Sequence, residues 1–477
     1  MKLGVDLGHI TEGATGGLVP YLQGVLEALF VGWPQHEIVI FGSPSNEPLF
    51  PNLPPHVRRL TLDAEGYYPL LGVCAAALDI DVLFSAYPSD AEMAFPPARR
   101  VVMIPDCQQE FFPEFFDPET LRSRRATFGS VLRGAGAIAT LSEHARCTLL
   151  SQPDARCRDV FVSSPALRTE SHRPTLDSLT DEERGLLPRG DYFIYPANLW
   201  PHKNHRRVLE AFERFLRGAT RPTEFVFTGH PQGWEDLRRS FPGLPIRHLG
   251  FVRRGFLQVL LARARALIFF SLFEGFGMPL LEAFASGTPV ACSNTTSLPE
   301  VGGDAVATCD PTDPAAMSAL MALVSTDEDA RARLVERGRE RLTRYDWTAS
   351  AAQLVEAFER VRDRTGGVRS AAPDTVRAVV QFVRTVQADR AARLGVIQNL
   401  EAHLRSSEAA QAEQNRRLVN ALQEVEADRK HLLARIDHLQ AALNRPWPLR
   451  WLRSCARLLK RRLPGTSLTG GAGAPRR

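Results

Sequence analysis

The stretch EGFGMPLLE, residues 274–282, decides the fold of this chain. It follows the apolar run Ala266–Phe269, which predicts a buried strand, and it opens a helix predicted over Pro279–Ser286. A short glycine-containing turn that joins a strand to a helix is typical of parallel α/β sheets, in which helices cover both faces. These residues therefore predict one strand, one turn and one helix of an α/β domain.

Similar pairs of a strand and a helix recur along the chain. In the amino-terminal part, the strand-like runs are Leu3–Leu7, Ile38–Phe41, Val82–Phe84, Val101–Ile104 and Ala137–Thr140. After a polar segment around Ser171–Arg189, the strand-like runs are Tyr192–Tyr195, Phe225–Thr228, Arg247–Leu249, Ala266–Phe269 and Pro289–Cys292. Because both sets alternate with helical periodicity, we predict two α/β domains, residues 1–175 and residues 176–365.

The carboxyl-terminal part has a different pattern. From Val376 to Leu443, apolar residues follow a spacing of three and four over ten heptads, which predicts a coiled coil within residues 366–445. A single long helix that packs on its own domain is the alternative. The coiled coil in turn predicts a homo-oligomer that assembles through residues 376–443.

Residues 446–477 form a basic tail with eight Lys or Arg residues and no Asp or Glu. Within it, residues 447–463 place leucines and arginines on neighbouring helical faces, and Trp447 and Trp451 suit an interface. The six basic residues from Arg450 to Arg462 give an upper bound of about 6 kcal/mol of attraction to an anionic leaflet. We therefore predict an anionic membrane surface as a partner of residues 447–463, with a basic end that contacts nothing as the alternative.

Composition excludes several classes of protein. The chain has 477 residues and a net charge of +4, and without the tail 50 basic residues face 54 acidic ones, which argues against a nucleic-acid partner. Seven cysteines without Cys-x-x-Cys spacing predict neither a disulfide framework nor a zinc site. The first residues lack the pattern of a signal peptide, and no apolar run reaches about 18 residues. We therefore expect a cytoplasmic protein that can attach peripherally to the inner face of the plasma membrane.

Two loops that follow strands have phosphate-binding features. Ligands of open parallel sheets bind at the carboxyl ends of the strands. The loop after the first strand contains Gly16 and Gly17, which allow a phosphate to approach the backbone at a helix start, although an ordinary flexible turn is the alternative. The segment Tyr195–His205 places Lys203, a compact cation, next to another helix start. Taken alone, Lys203 is more often a solvated surface charge.

The stretch 274–282 has the features of a sugar-nucleotide site. Pro279 suits a first helical turn, which leaves the amides of Gly277 and Met278 free to face an anion. Glu274 and Glu282 bracket the turn, and each carboxylate can accept hydrogen bonds from a vicinal diol of a sugar or a ribose. Helix capping and ion pairing explain either glutamate alone but not the whole arrangement.

The E-x7-E spacing of Glu274 and Glu282, with the Lys203 segment and the Gly16-Gly17 loop, resembles a known family. This is the family of retaining GT-B glycosyltransferases, family 4 or "glycosyl transferases group 1", which includes bacterial mannosyltransferases of envelope polysaccharide synthesis. The resemblance covers about residues 1–365, and its supporting stretches are Pro105–Phe116, Ser142-Glu143, Gly250–Val252 and Ser297–Asp304. It implies two Rossmann-like domains, for acceptor and nucleotide-sugar donor, that face a cleft and precede the coiled coil.

The resemblance also implies roles for individual residues. Lys203 would neutralise the donor diphosphate, which Gly16 and Gly17 would approach, while Glu282 would hold the ribose and Glu274 the hydroxyls of the transferred sugar. The other implied donor contacts are Asn198, Gly250, Phe251, Val252, Gly275, Phe276, Gly277, Met278 and Pro279, with Gly250–Val252 at the base, and the implied catalytic residues are Glu274, Lys203 and Asp106. Such enzymes usually need no metal, because lysine and helix N-termini balance the negative charge of the leaving diphosphate. We therefore expect no metal and no cofactor.

One departure from the family pattern concerns a cation. Many members have arginine five residues before the phosphate-binding lysine, where this chain has Asn198. One positive charge for the leaving group must then come from elsewhere or be absent. Arg206 and Arg207, at the start of the next predicted helix, are candidates to replace it.

A second departure lies in the first domain. Many members have histidine before the aspartate of the first-domain motif, where this chain has Pro105, which leaves Asp106 or His144 as substitutes. The same motif continues into an aromatic patch that could guide a lipid-linked acceptor, although core packing of at least two rings is the more common use. The patch consists of Phe111, Phe112, Phe115 and Phe116.

Together these features predict a retaining hexosyltransferase. The predicted reaction moves a hexose, with mannose favoured, from a nucleoside-diphosphate sugar to a hydroxyl of a glycan or lipid-linked acceptor in bacterial envelope polysaccharide synthesis. A GDP-sugar is slightly favoured over a UDP-sugar. The alternatives are a nucleotide-sugar epimerase on the same fold, and a non-catalytic coiled-coil scaffold that keeps a relic fold.

Overall fold

The computed structural model describes residues 1–11, 17–62, 67–89, 91, 93, 95–167 and 175–366, together with six helical residues at positions 423, 426, 427, 429, 430 and 434. The chain forms two compact units, residues 1–387 and residues 388–477. The first unit contains two parallel sheets, and we call them and their helices the first and second lobes. Apart from those six residues, the predicted coiled coil at 376–443 and the predicted membrane-binding stretch at 447–463 lie outside the described residues.

The first lobe is built on a seven-stranded parallel sheet in the order β3-β2-β1-β4-β5-β6-β7. The strands are β1 Lys2–Asp6, β2 Glu37–Gly42, β3 Val57–Thr61, β4 Val82–Ser85, β5 Arg100–Met103, β6 Ala137–Thr140 and β7 Val160–Val162. The helices are α1 Leu18–Gly32, α2 Tyr67–Ala77, α3 Gln108–Phe111, α4 Pro118–Gly134 and α5 Glu143–Leu150. β1, β4 and β5 are almost completely buried, as central strands covered by helices on both faces must be.

The second lobe is built on a six-stranded parallel sheet in the order β10-β9-β8-β11-β12-β13. The strands are β8 Asp191–Pro196, β9 Thr223–Thr228, β10 Ile246–His248, β11 Ala266–Phe269, β12 Val290–Ser293 and β13 Val306–Cys309. The helices are α6 Asp181–Leu186, α7 His205–Leu216, α8 Trp234–Arg239, α9 Arg254–Arg263, α10 Met278–Ser286, α11 Leu298–Gly302, α12 Pro314–Thr326 and α13 Glu328–Leu342. The order reverses beside β8 and β11, where open sheets bind ligands.

A last helix, α14 Trp347–Thr365, follows the second lobe in sequence but packs on the first lobe. The Asp346 side chain caps it by accepting a hydrogen bond from the amide of Ala349 at 2.9 Å. Its buried face, with Leu354 and Phe358, belongs to the hydrophobic core of the first lobe. The chain therefore crosses between the lobes twice, once in each direction.

The two sheets confirm the predicted α/β fold with two Rossmann-like lobes. Every predicted strand is present within two residues of its predicted bounds. The hydrophobic pattern missed β3, β7 and β13, because β3 is a partly exposed edge strand, β7 has only three residues, and β13 is only partly buried. Among the described residues, no helix has the length and apolar character needed to cross a bilayer.

Candidate active site

The loop between β8 and α7 holds Lys203 in a fixed position. The backbone carbonyl of Lys203 accepts a hydrogen bond of 2.6 Å from the hydroxyl of the buried Tyr195. The next residue, Asn204, has a left-handed backbone with φ of 60°, a conformation that asparagine tolerates better than most residues. Its side-chain amide donates to the carbonyls of Phe270 and Pro311, at 3.1 and 2.8 Å. The loop is thus tied to β11 and to the chain that follows β13.

Lys203 and Glu274 form an ion pair at the centre of the site. The Lys203 Nζ atom lies 2.6 Å from Glu274 Oε1, and the two side chains are only 13% and 11% exposed. The Nζ atom also lies 5.3 Å from the centre of the Phe269 ring at the end of β11. A charged hydrogen bond in this shielded place is stronger than the same contact in water. The fold therefore brings together two predicted catalytic residues that are 71 positions apart in sequence.

The turn before α10 is held by hydroxyl groups from the next loop. Ser297 donates to the carbonyls of Glu274 and Phe276, both at 2.9 Å, and the amide of Glu274 donates to Thr296 Oγ1 at 3.2 Å. Gly277 has φ of 106°, and a Cβ atom there would lie 2.6 Å from the Leu298 side chain. Glycine is therefore required at position 277 for two independent reasons.

Helix α10 begins next to the ion pair. Met278 is its first residue and Pro279 follows within the first turn, so the earliest amides of the helix have no acceptor inside it. Phe276 is buried and anchors the turn to the core of the second lobe. The helix start thus offers amide donors to an anion close to Lys203, as the sequence predicts.

The first lobe contacts this turn directly. Ser142, completely buried at the start of α5, donates to the carbonyl of Gly275 at 2.8 Å. A Cβ atom at Gly275 would lie 2.8 Å from both Asp106 Oδ2 and the Pro105 carbonyl. The predicted first-domain motif and the predicted donor turn therefore touch across the two lobes.

Asp106 is the half-buried acid that the first lobe places at this contact. Burial raises the pKa of Asp106 and is the largest effect. A 3.0 Å hydrogen bond from the amide of Gln108 lowers the pKa, while the negative charge of Glu274 raises it. Asp106 thus lies near the Lys203–Glu274 pair.

The contact between lobes includes a carboxylate whose role sequence reasoning missed. Glu300, in α11, accepts hydrogen bonds from the amides of Glu143 and His144, at 2.8 and 2.9 Å. These amides belong to the first turn of α5, where they have no intrahelical acceptor. The sequence signal was present, because Ser142-Glu143 and Ser297–Asp304 were both noted as family-like, but nothing in either stretch indicated that they meet.

Glu282 lies one turn into α10 and is half-buried. Burial raises the pKa of Glu282 to about 7, and the positive charge of Arg254 partly opposes this rise. Among the described residues its carboxylate forms no ion pair within 4.0 Å. Glu282 therefore titrates near neutral pH and can accept hydrogen bonds from a ligand.

Replacing Glu282 by glutamine should stabilise the folded protein at pH 8 but not at pH 5. The pKa of Glu282 is about 7 in the folded state against 4.5 as its ordinary value, so its favourable contribution is complete below about pH 4.5 and is lost as pH rises through about 7. Glutamine does not ionise and avoids this loss, which is at most about 3 kcal/mol. Thermal unfolding at both pH values measures the effect. Glu356→Gln, at an exposed position of α14, is the control, and equal shifts at the two pH values would contradict the expectation.

The loop after β10 carries the predicted base contacts. Gly250 has φ of 72°, its amide donates to His248 Nδ1 at 2.9 Å, and its carbonyl accepts from Gly229 at 2.9 Å. Phe251 is 85% exposed, whereas Val252 packs against the core of the second lobe. An exposed ring on a loop held by two hydrogen bonds is suited to stacking against a flat group.

The glycine loop of the first lobe is described only in part. Gly17 directly precedes α1, and a Cβ atom built on it would meet no atom of the described residues within 4 Å. Gly16 lies outside the described residues.

That Arg206 or Arg207 supplies the cation missing at position 198 stays a prediction. Arg206 bonds to Ser240 Oγ at 3.3 Å, and Arg207 bonds at 3.2 Å to Oδ1 of Asn204, the residue after Lys203. Both arginines belong to the first turn of α7, which begins at His205. Asn198 itself accepts a 2.8 Å hydrogen bond from the amide of His230 and braces the loop after β9.

The aromatic patch of the first lobe does not enter a core, contrary to the expectation for at least two of its rings. None of the four phenylalanines is buried, and Phe111 is 46% exposed. Phe112 stacks on Phe115 at 5.1 Å, and both Phe111 and Phe112 lie against Phe273 of the second lobe, at 5.5 and 6.1 Å. The patch packs between the lobes because short helical segments at the edge of the sheet cannot bury every ring.

Within the part of the chain that the structure describes, no group of three or more His, Cys, Asp or Glu residues is arranged to hold a metal ion. Metal independence stays a prediction. The assigned roles of the donor-site residues also stay predictions, although the fold brings Lys203, Glu274, the start of α10 and Asp106 into one place.

Two parallel-sheet lobes, joined by a returning helix and meeting at the turn before α10, define a GT-B fold. Residues 180–341 match the family described as "Glycosyl transferases group 1". The chain thus has the GT-B fold and carries a group 1 glycosyltransferase domain, which confirms the predicted resemblance. The matched segment contains Lys203, Glu274 and Glu282.

Curated relatives include bacterial mannosyltransferases, and others are a D-inositol 3-phosphate glycosyltransferase of Corynebacterium glutamicum and a glycogen synthase of Mycobacterium tuberculosis. The O-antigen chain mannosyltransferase B of Escherichia coli is 29% identical over 254 residues, which is 52% of this chain and 66% of that protein. The serotype-specific mannosyltransferase WbdA of Escherichia coli is 28% identical over 193 residues, 39% of this chain and 23% of that protein. The chain spans less than two thirds of the length of these relatives.

Solved structures share the fold at low sequence identity. WaaG, a glycosyltransferase involved in lipopolysaccharide biosynthesis, has a TM-score of 0.56 and 13% identity, and the match covers 75% of this chain and 99% of WaaG. Anabaena HepE in complex with UDP-glucose has a TM-score of 0.58 and 15% identity, with the same coverage of both chains. At these identities the similarity concerns the fold alone.

Proposed function

We propose that the protein is a retaining glycosyltransferase that moves a hexose, with mannose favoured, from a nucleoside-diphosphate sugar to a hydroxyl of a glycan or lipid-linked acceptor. The proposed setting is bacterial envelope polysaccharide synthesis. The observation that carries the proposal is the 2.6 Å Lys203–Glu274 pair at the start of α10, in contact with the Asp106 loop of the other lobe. The mannosyltransferases of Escherichia coli among its relatives support the preference for mannose.

The donor diphosphate would bind between Lys203 and the first amides of α10. When the bond between the sugar and the diphosphate breaks, negative charge grows on the departing phosphate oxygen. An ammonium group and amide donors already fixed in a shielded site stabilise that charge without reorganisation. In the free protein Glu274 holds Lys203, and in the complex sugar hydroxyls would donate to the Glu274 carboxylate while Lys203 turns to the phosphate.

The acceptor hydroxyl would attack on the face from which the diphosphate leaves. The bond from the anomeric carbon to the phosphate oxygen breaks, the bond to the acceptor oxygen forms, and the acceptor proton passes to the departing phosphate. Asp106, next to Gly275, would orient the acceptor hydroxyl. The contribution of the protein is then mainly charge stabilisation and positioning.

The rest of the donor would extend along the second lobe. Glu282 would accept hydrogen bonds from the ribose hydroxyls, and the exposed ring of Phe251 would stack on the base. We also retain metal independence, a homo-oligomer formed through residues 376–443 and attachment to anionic membranes through residues 447–463 as parts of the proposal.

A thermal-shift panel tests the proposal first. We expect GDP, UDP or one of their sugar conjugates to raise the unfolding temperature, since a ligand at 100 times its Kd adds about 2.7 kcal/mol of stability. GDP-mannose and UDP-glucose then compare the two donor classes. Incubation of the bound donor alone should leave its sugar unchanged, because a changed sugar on an intact nucleotide would identify an epimerase. No binding of any nucleoside diphosphate would contradict the proposal and favour a scaffold.

A further inference from the structure

The second lobe supplies little net positive charge to the proposed diphosphate site. Lys203 is paired with Glu274, Asn198 is neutral, Arg206 bonds to Ser240, and Arg207 bonds to Asn204. A diphosphate carries more than one negative charge, and a shielded site must balance it with cations or oriented donors. A further cation is therefore expected from the opposite wall of the cleft.

Arg124 is a cation of the first lobe that stacks on an aromatic ring. Its guanidinium carbon lies 4.8 Å above the centre of the Phe116 ring, and the residue is half-buried on α4. Among the described residues it forms no ion pair within 4.0 Å, whereas its neighbour Arg125 pairs with Glu110 at 3.1 Å. A guanidinium stacked on a ring keeps its edge donors free, and these edge donors match a phosphate.

The face of α4 that carries Arg124 is directed to the carboxyl ends of the strands of the first sheet. Phe128 lies one helical turn further on and therefore shares this face. The Phe128 ring packs against Tyr87, which follows β4, with 6.4 Å between ring centres. Tyr87 in turn lies 6.2 Å from the ring of His9, in the loop after β1. Arg124 therefore lies near the carboxyl ends of the central strands, where the first lobe would meet a substrate.

Electrostatic effects place Arg124 close to both lobes. Burial raises the pKa of Asp106 and of Tyr87, and the positive charge of Arg124 opposes both rises. Burial, and then the positive charges of Lys203 and Arg124, lower the pKa of His202 to about 3. Because His202 precedes Lys203 in the second lobe, the field of Arg124 reaches across the cleft to the Lys203 loop.

We infer that Arg124 binds a phosphate group of a substrate and supplies from the first lobe the cation that Asn198 does not provide. The inference rests on the proposed function, because it assumes a phosphorylated substrate in the cleft. Two sources offer this chemistry: the diphosphate of the donor and a phosphate of a lipid-linked acceptor. In either case the guanidinium would offer two parallel N–H donors to the phosphate oxygens.

Calorimetry on the full chain tests the inference with GDP and UDP as donor probes and micellar farnesyl phosphate as the acceptor probe. Arg124→Ala should weaken binding of at least one probe about 10- to 100-fold, where tenfold corresponds to about 1.4 kcal/mol. Arg124→Lys should recover part of the affinity, since lysine keeps the positive charge but lacks the two parallel N–H donors of the guanidinium. Arg125→Ala, on the same helix, is the matched control and should stay within about twofold of wild type, because exposed ion pairs contribute little. Arg124→Met keeps an apolar stem over Phe116 and replaces the alanine variant if that variant unfolds.

The outcomes distinguish a donor phosphate from an acceptor phosphate. They also distinguish failure of the inference about Arg124 from failure of the proposed function. Weaker binding of the nucleoside diphosphates assigns Arg124 to the donor, and weaker binding of farnesyl phosphate alone assigns it to the acceptor. If the wild type binds GDP or UDP and Arg124→Ala and Arg124→Met bind every probe as Arg125→Ala does, the inference about Arg124 is wrong and the proposed function stands. If the wild type binds no nucleoside diphosphate, the proposed function itself fails.

Discussion

Replacing Lys203 by alanine should abolish sugar transfer, with kcat at least about 100- to 1000-fold below that of the wild type. The ammonium group lies 2.6 Å from Glu274 at the start of α10, where charge would develop on the leaving diphosphate. Besides Lys203, the chain has only three lysines, Lys2, Lys430 and Lys460, and Lys2 begins β1. Steady-state kinetics with the donor found in the thermal-shift panel measures the loss. Glu274→Ala should cause a loss of similar size, because it would remove the proposed contact of this carboxylate with the transferred sugar.

Loss of folding must be separated from loss of chemistry in this experiment. Removing one member of a shielded ion pair leaves the other charge unpaired, which typically costs about 3–5 kcal/mol. The double variant Lys203→Met/Glu274→Gln removes both charges together and should fold as the wild type does while remaining inactive. Lys2→Ala, at the far end of β1, is the matched lysine control and should keep full activity. Near-normal turnover in folded Lys203→Ala would exclude the proposed site.

Replacing Phe358 by alanine should lower the free energy of unfolding by about 3–5 kcal/mol, although the residue is far from the proposed chemistry. Phe358 is completely buried, and its ring lies 5.8 Å from that of Phe84 in the first-lobe core. The substitution removes contacts of α14, the helix that returns from the second lobe. Chemical unfolding followed by circular dichroism measures the difference in free energy.

Phe251→Ala provides the same substitution at an 85% exposed position and should change the free energy of unfolding by less than about 0.5 kcal/mol. Equal stability of the two variants would mean that α14 does not pack in the first lobe. A second substitution on the same face, Leu354→Ala, should cost about 2–5 kcal/mol and checks that the effect belongs to the helix rather than to one ring.

Much of the fold was predictable because its physical cause is local. Buried parallel strands are short apolar runs, and ten of the thirteen strands could be read from such runs. The missed strands β3, β7 and β13 lack the signal, since β3 carries Arg58 and Arg59 at a sheet edge, β7 is very short and β13 is partly exposed. Their place in the sheets depends on backbone pairing with neighbours, which no local pattern reveals.

The site was predictable only in part. Residues at the ends of neighbouring parallel strands converge by topology, so Lys203 after β8 and Glu274 after β11 could be expected to lie close together. The direction of a side chain depends on its helix and its neighbours, and for this reason the packing of the aromatic patch, Phe111, Phe112, Phe115 and Phe116, was predicted wrongly.

The sequence by itself determined the two α/β lobes, the turn between β11 and α10, and the group 1 glycosyltransferase resemblance, because each depends on residues close together in the chain. Only the tertiary structure decided that Ser142 and Asp106 of one lobe meet Gly275 of the other, and that Glu300 holds the start of α5. These contacts join segments that are more than 100 residues apart in sequence. Their energies depend on distance and burial, so no periodic pattern in the sequence predicts them.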